Sequence, residues 1–146
     1  MKVVKKLLAP VLVVGLLLTS LVTLHNLKDT KKDNVFRIGI SQYITHKSLD
    51  ATRKGFIEEL KKEGYVDGKN IQIDFQNAQG EQRNLKNISK QLAEESDLVF
   101  VIATPSAQSL ANTTKSTPIV FSAVTDPLAA KLVKNLKKPE IGRAHV

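Results

Sequence analysis

Four short segments rich in hydrogen-bonding side chains stand in this 146-residue chain, and each follows a stretch that predicts a β-strand. In chain order they are Ser41-Gln42-Tyr43, Asn77-Ala78-Gln79, Thr104-Pro105-Ser106 and Thr125-Asp126-Pro127. Hydroxyls and free N–H groups at a helix start suit a carboxylate, an aspartate suits an ammonium group, and a tyrosine ring offers a flat apolar surface. These residue types predict a site that captures a small polar molecule. The candidate ligand-binding residues are Ser41, Gln42, Tyr43, Asn77, Thr104, Pro105, Ser106, Thr125 and Asp126.

Several of these residues could instead have a structural role as helix caps. Asp126, which precedes Pro127, has the type and position of a helix cap, and Thr104 or Ser106 could equally cap a helix. The sequence leaves capping and ligand binding open at each of these positions.

Residues 98–108, LVFVIATPSAQ, predict the centre of the sheet. Six residues without a polar side chain, rich in Val and Ile, are typical of a strand buried on both faces in a parallel α/β fold. Pro105 is expected at the first position of the following helix, where its missing N–H is tolerated. In open α/β sheets, ligands bind at the carboxyl ends of the strands.

The remaining pattern alternates strands with helices. Strands are predicted over residues 35–40, 71–76 and 118–123, and the strict alternation of residues 71–76 predicts a sheet edge. Ser48 and Asp50 predict the start of the first helix and Gly64 its end. The helical stripes are Leu49, Phe56, Ile57 and Leu60; Leu85, Ile88 and Leu92; Ala107, Leu110, Ala111 and Thr114; and, after residues 124–127, Leu128, Leu132, Val133 and Leu136.

This order predicts an α/β fold with a doubly wound parallel sheet of strand order 2-1-3-4. The crossovers are long enough for right-handed parallel connections, and the switch point lies between strands one and three. The fourth strand would be left unpaired although its composition is that of an interior strand. Residues 141–146, IGRAHV, resemble neither a strand, a helix nor a natural terminus. Because codons for these six residues can spell a sequencing adapter, we expect a non-native read-through tail there, after a lobe spanning residues 35–140.

The amino-terminal region predicts export. Residues 7–24 are uncharged and largely aliphatic, with lysines on both sides. The leading lysines predict a cytoplasmic amino terminus with the rest of the chain outside. We expect a signal peptide or membrane anchor over residues 1–27 and a charged tether over 28–34, and favour an uncleaved anchor because no small-x-small cleavage site follows. A buried core helix fits less well, since Pro10 and Gly15 interrupt a run without a polar face.

Composition argues against several functional classes. The formal charge is +8, but half of it belongs to residues 1–33, and no basic block is interleaved with aromatic residues, so nucleic acid is not an expected partner. The chain has no cysteine, which removes disulfides and thiolate chemistry. No His, Asp or Glu cluster has metal-ligand spacing, and no cofactor is expected.

An enzyme is the weaker alternative. Ser41, His46 and Asp126 are the residue types of a hydrolase triad, but Ser41 lacks the G-x-S-x-G turn of a nucleophile, and His46 stands where it can cap a helix. A nucleotide site would need a glycine-rich first loop, and ISQYITH has no glycine.

The motifs GYVDGKN, QNAQG, IATPSAQ and AVTDP, between about residues 35 and 139, resemble the amino-terminal lobe of ABC-transporter substrate-binding proteins of the tryptophan/tyrosine type. The resemblance implies a type I periplasmic-binding-protein fold, in which two α/β lobes close over a ligand, and delivery of that ligand to a membrane permease. It implies a small solute, an aromatic or related amino acid, as ligand. The rim residues it would place at the cleft are Ser41, Gln42, Tyr43, Thr104, Ser106, Thr125 and Asp126.

Two further expectations follow from the resemblance. Many members carry a lipidated cysteine after the signal, so in this chain residues 7–24 would have to provide any anchor. The second lobe is not in the sequence, so the chain would supply half of a cleft. An extracellular ligand-sensing domain built on the same lobes is the alternative function.

Overall fold

The computed structural model describes residues 35–137 and the backbone of residues 143–145. The predicted leader, anchor and tether, residues 1–34, lie outside the described residues. Within the described part, no helix combines the length and apolar character needed to cross a membrane. The elements are β1 (Phe36–Gln42), α1 (Lys47–Lys62), β2 (Ile71–Asn77), α2 (Gln82–Glu95), β3 (Leu98–Ile102), α3 (Thr104–Thr113), β4 (Ile119–Ser122) and β5 (Arg143–His145).

The strands form one parallel sheet of order β2-β1-β3-β4-β5. The predicted order 2-1-3-4 is confirmed, with β3 in the middle and β2 at an edge. β1 is longer at its carboxyl end than predicted, because Ser41 and Gln42 continue the ladder with both neighbouring strands. The switch point lies between β1 and β3, as expected from the order of crossovers.

The fifth strand corrects two expectations. Arg143–His145 pairs in parallel with β4, so this part of residues 141–146 forms a strand, and β4 is paired on both sides. The physical reason is that an unpaired strand edge presents a row of free backbone donors and acceptors to any extended segment that reaches it. The origin of residues 141–146 stays a prediction.

Two apolar clusters hold the helices to the sheet. One face carries Val99, Val101, Ile119 and Phe121 against α2 and α3. The other carries Ile38, Ile40, Phe100 and Ile102 against α1. The predicted stripes of the first three helices supply the packing residues: Leu49, Phe56, Ile57 and Leu60 of α1; Leu85, Ile88 and Leu92 of α2; and Ala107, Leu110 and Ala111 of α3, with Thr114 buried at its end.

The first helix begins at Lys47, one residue before the predicted Ser48, and its end is closed at Gly64 as predicted. His46 is the N-cap, and its Nδ1 accepts a hydrogen bond from the Ser48 N–H at 3.3 Å. At the other end Gly64 has φ +89°, and the Tyr65 N–H donates to the Leu60 carbonyl. This is the left-handed helix end in which glycine is favoured because it has no Cβ.

The predicted fourth helix is wrong. After Pro127 the chain makes a single turn that ends at Lys131, where φ is +56°. The Lys131 N–H donates to the Leu128 carbonyl and the Leu132 N–H to the Pro127 carbonyl, the same pairing that closes α1. The turn directs Leu132 and Val133 into the core beneath α3, while Leu136 stays 59% exposed.

Replacing Gly39 with alanine is expected to destabilise the fold. A Cβ at Gly39 would lie 2.6 Å from Ser96 Oγ and 3.1 Å from Leu92 Cδ2, so the Ser96 hydroxyl would have to rotate away and the Leu92 side chain to shift. We expect a loss of about 1–3 kcal/mol, the usual range for overpacking a tight contact. Denaturant unfolding measures the free energy.

Gly55→Ala is the matched control, because an added Cβ at this α1 position meets nothing within 4 Å. Alanine in the helix interior should raise the free energy of unfolding by about 0.5–1 kcal/mol. Equal destabilisation by both substitutions would contradict the close approach of α2 to Gly39.

Candidate ligand-binding site

The strand register brings the four predicted segments to one side of the sheet. Gln42 is aligned with Asn77 on β2 and with Ile102 on β3, and Ile102 with Ser122 on β4. The segments that follow these residues therefore leave the sheet side by side. We call residues 43–46, 78–81, 103–106 and 123–126 the carboxyl edge.

Hydrogen bonds join the two segments that follow β1 and β2. The Tyr43 hydroxyl donates to the Gly80 carbonyl at 2.8 Å, and the Gly80 N–H donates to the Tyr43 carbonyl at 2.8 Å. Asn77 Nδ2 donates to Thr45 Oγ1 at 3.0 Å, while Asn77 Oδ1 accepts from the Gln79 N–H. The predicted residues Tyr43 and Asn77 thus connect the two segments and stay half-buried.

Gln42 lies beneath these segments and is fully buried. Its Nε2 donates to the Ile44 carbonyl at 2.9 Å and to Asp50 Oδ1 at 2.8 Å. Asp50 also lies 3.9 Å from the Arg53 guanidinium, which stacks 4.3 Å over the Phe75 ring of β2. The sequence indicated Asp50 only as a helix-start residue, since no spacing rule relates it to a strand end eight residues earlier.

The start of α3 has unusual backbone geometry. Its N-cap is Ala103, at φ +80° and ψ 153°, and no side chain caps the helix. This conformation is almost restricted to glycine and costs roughly 1–3 kcal/mol. The Ala103 N–H donates to the Ser122 carbonyl at 3.0 Å, which joins the segments after β3 and β4. Thr104 is the first helical residue and Pro105 the second, one position later than predicted.

The nine predicted residues differ in how deeply they are buried. Tyr43, Asn77, Thr104 and Pro105 are half-buried, and Thr125 and Asp126 are exposed. The other three, Ser41, Gln42 and Ser106, have no exposed surface. Ser41 Oγ, Gln42 Oε1 and Ser106 Oγ are also enclosed oxygens without a hydrogen-bond partner among the described residues. In this conformation the six half-buried or exposed residues are accessible from the surface, and the three enclosed residues are not.

The structure shows which of Asp126, Thr104 and Ser106 cap a helix or turn. Asp126 Oδ1 accepts hydrogen bonds from the Leu128 N–H at 3.0 Å and the Ala129 N–H at 2.9 Å, so Asp126 does cap its turn. Neither Thr104 nor Ser106 caps α3, whose N-cap is Ala103. Asp126 Oδ2 makes no hydrogen bond to the described residues, and a role toward an ammonium group stays a prediction for it.

The residues of the rejected triad lie in separate environments. The His46 ring is engaged with Ser48, whose Oγ lies 2.8 Å from Nδ1, while Ser41 Oγ is enclosed in the core. Across residues 35–137, no group of three or more His, Asp or Glu side chains is arranged to hold a metal ion.

A cavity of about 430 Å³ lies at the opposite end of the sheet, beside α1. It is lined mainly by apolar side chains: Phe36, Ile38, Phe56, Leu60, Ile71, Leu98 and Val120, with Tyr65 and Asn70. It lies at the amino ends of β1, β2 and β3 and contains none of the predicted site residues.

An α/β lobe with a polar carboxyl edge at its switch point defines a ligand-binding domain, and comparison with known proteins gives its family. Residues 37–142 match the family model described as ABC transporter substrate binding protein. The chain belongs to this family.

The relatives agree with that assignment. A tyrosine-binding protein of Clostridioides difficile (strain R20291) is 52% identical over 112 residues, which cover 76% of this chain and 32% of that protein. The chain therefore spans about a third of the length of this curated relative.

Three solved structures match this chain with similar sequence identity and coverage. A ligand-free, open substrate-binding protein with adhesive properties from Clostridium difficile is 49% identical, with a TM-score of 0.74, over 76% of this chain and 38% of that one. A structure from Streptococcus pneumonia, described as an ABC domain in complex with L-Trp, is 45% identical, with a TM-score of 0.73, over 77% and 38%. A conserved domain protein of Vibrio cholerae is 43% identical, with a TM-score of 0.73, over 77% and 38%.

Ser106→Ala should leave the fold as stable or stabilise it by up to about 1–2 kcal/mol, because it removes a buried hydroxyl that has no partner among the described residues. Denaturant unfolding is again the measurement. Ser89→Ala is the matched control: Ser89 is equally buried in a helix, but its hydroxyl donates to Ser109 Oγ at 2.8 Å.

The control should therefore lose about 1 kcal/mol. If Ser106→Ala lost as much as Ser89→Ala, the Ser106 hydroxyl would have a partner in the fold, and its assignment to an unpaired group at the carboxyl edge would be wrong.

Proposed function

We propose that this lobe forms one wall of the ligand site in an extracytoplasmic solute-binding component of an ABC importer. The ligand is a small solute, an aromatic or related amino acid, and it binds between the carboxyl edge and a second lobe. Binding is coupled to closure of the two lobes, because contacts made only in the closed form favour that form. No covalent step is involved.

The observation that supports this proposal most strongly is the concentration of unpaired polar groups at one end of the sheet. Buried oxygens without partners are rare in folded proteins, and each costs about 1–3 kcal/mol. Three of the four buried unpaired side-chain atoms in the described residues belong to Ser41, Gln42 and Ser106. Ser41 and Gln42 are the last two residues of β1, and Ser106 lies in the first turn of α3, which has no side-chain cap.

The start of α3 supports a carboxylate contact. The helix has no side-chain cap, and the Thr104 hydroxyl and N–H make no hydrogen bond to the described residues. A ligand carboxylate there would accept from these donors and gain from the helix dipole. Asp126 and its Oδ2 would face the ammonium group, and Tyr43, whose hydroxyl is held by Gly80, would offer its ring.

The relatives support the class of ligand. One is named a tyrosine-binding protein, and one solved neighbour is a complex with L-Trp. At about half identity over this lobe, a related amino acid is the expected ligand. The permease partner and attachment to the membrane through residues 7–24 belong to the same proposal.

Titration calorimetry on the full-length protein that contains this lobe tests the function. L-tyrosine and L-tryptophan are expected to bind with a Kd of about 10 μM or tighter, with L-alanine, which lacks a ring, at least about tenfold weaker. The lobe alone should bind far more weakly, since half the contacts are absent. No binding of either aromatic amino acid at millimolar concentration would contradict the proposal.

Asp126→Asn separates the two roles of Asp126. An asparagine keeps the oxygen that caps the turn, so stability should stay within about 0.5 kcal/mol of the wild type. Losing the charge should weaken amino-acid binding about tenfold or more, because hydrogen bonds to charged groups are the stronger ones. Asp126→Ala should lose both the affinity and about 1 kcal/mol of stability.

The two measurements are calorimetry and denaturant unfolding of the same variants. Wild-type affinity in Asp126→Asn would show that the aspartate acts only as a cap.

A further inference from the structure

The side-chain amide of Gln42 is held in one orientation. Its Nε2 donates to the Ile44 carbonyl and to Asp50 Oδ1, and both partners are pure acceptors. Turning the amide over would place Oε1 against two oxygens. Because Gln42 has no exposed surface, water cannot replace either partner. The conformation of this side chain therefore depends on Asp50.

Asp50 is itself fixed by its surroundings. It stands in the first turn of α1, 3.9 Å from Arg53 Nη2. The Arg53 guanidinium lies 4.3 Å over the ring of Phe75, on the edge strand β2. The contacts form a continuous path from β2 through α1 to the tip of β1.

The path continues into the surface of the carboxyl edge. The Ile44 carbonyl belongs to residues 43–46, and Tyr43 in the same segment exchanges two hydrogen bonds with Gly80. Ile44 is 42% exposed, so this segment reaches the surface that a ligand would meet. Moving the Ile44 carbonyl would shift the segment after β1 and, through Tyr43, the one after β2.

We propose that Asp50 is a positioning residue for ligand binding, which acts through the Gln42 amide on residues 43–46. This inference rests on the proposed function of the carboxyl edge. Without the Asp50 oxygen, one proton of a buried amide loses its acceptor, and Gln42 turns away from the Ile44 carbonyl to find another. The segment is then no longer held in the geometry that meets the ligand.

A purely structural role makes a different prediction. As an acid in the first turn, Asp50 also interacts favourably with the helix dipole. In that case Asp50→Asn and Asp50→Ala would both lose the charge, destabilise α1 to a similar extent, and bind amino acids like the wild type.

The affinity experiment compares Asp50→Ala with Asp50→Asn in the full-length protein, titrated with L-tyrosine. The asparagine oxygen can still accept from Gln42 Nε2, whereas alanine cannot. Asp50→Ala should bind about tenfold or more weakly, and Asp50→Asn within about threefold of the wild type, as expected for one lost charge-assisted hydrogen bond. Glu58→Ala, which removes an exposed acid from the same helix, is the control and should bind normally.

Equal affinities of Asp50→Ala and the wild type would overturn the proposal. So would an equal loss in Asp50→Asn and Asp50→Ala, because that result would assign the effect to the charge rather than to the acceptor.

A second measurement keeps the test independent of the ligand. NMR spectra should show the Gln42 Nε2 protons in slow exchange with water, at chemical shifts away from those of exposed glutamine amides, in the wild type and in Asp50→Asn. In Asp50→Ala the protection and the unusual shifts should both be lost, and the Ile44 and Gly80 amide signals should move. If the wild type bound no amino acid, the proposed function would fail while these signals still reported the Asp50–Gln42 contact. Unchanged Gln42 signals in Asp50→Ala would disprove the positioning role whatever the affinity.

Discussion

The parallel pairing of β1 with both of its neighbours is the constraint on which the carboxyl edge depends. Gln42 is aligned with Asn77 on one side and Ile102 on the other, so the segments after β1, β2 and β3 begin in one row. Side chains alternate between the two faces of a strand, so a slip of one residue would exchange Ser41 and Gln42. Gln42 would then point away from α1 and lose Asp50. The apolar clusters on both faces oppose such a slip, because every core residue of β1 would change sides with it.

The carboxyl edge combines two kinds of construction. The segments after β1 and β2 are joined by hydrogen bonds between Tyr43 and Gly80 and between Asn77 and Thr45. The segments after β3 and β4 meet through the Ala103 N–H, in a backbone conformation that an alanine adopts at a cost. Unpaired oxygens lie beneath both halves. Strain and unpaired polar groups lower stability, so their concentration at one end of the sheet is what a binding function predicts.

Most of the fold could be predicted because periodicity carries the signal. The buried run at residues 98–102 indicated the central strand, and the alternation at residues 71–76 indicated an edge. The prediction of a fourth helix failed because the chain leaves the helical conformation at Lys131, where φ is +56°. The sequence signal for such an end is a glycine or asparagine, such as Gly64 at the end of α1. The open edge of the fourth strand could be predicted, but the local pattern of residues 143–145 gave no sign that they would pair with it.

The candidate site was predicted in outline and missed in detail for a related reason. Strand ends can be located from patterns, and parallel strands bring those ends together, so the four segments could be assigned to one edge. Depth could not be assigned, because whether Ser41 or Thr104 reaches the surface depends on packing between elements. The Gln42–Asp50 contact joins a strand end to a helix through side-chain geometry alone, and Ala103 has no side chain that would signal its backbone conformation.

The apolar cavity beside α1 differs in chemistry from the carboxyl edge, and this difference supports our proposal that the ligand binds at the carboxyl edge. The cavity beside α1 at the amino end is apolar, and side chains such as Phe36 and Tyr65 there remain about half exposed. Such a surface favours packing against another apolar surface, but it offers few groups that could orient a zwitterion. The carboxyl end presents both donors and an acceptor on a backbone held by the sheet. The donors are the free N–H groups of α3 and the Thr104 and Thr125 hydroxyls, and the acceptor is the Asp126 carboxylate. An amino acid needs partners of both kinds in fixed positions, and the proposed site draws both from the carboxyl edge.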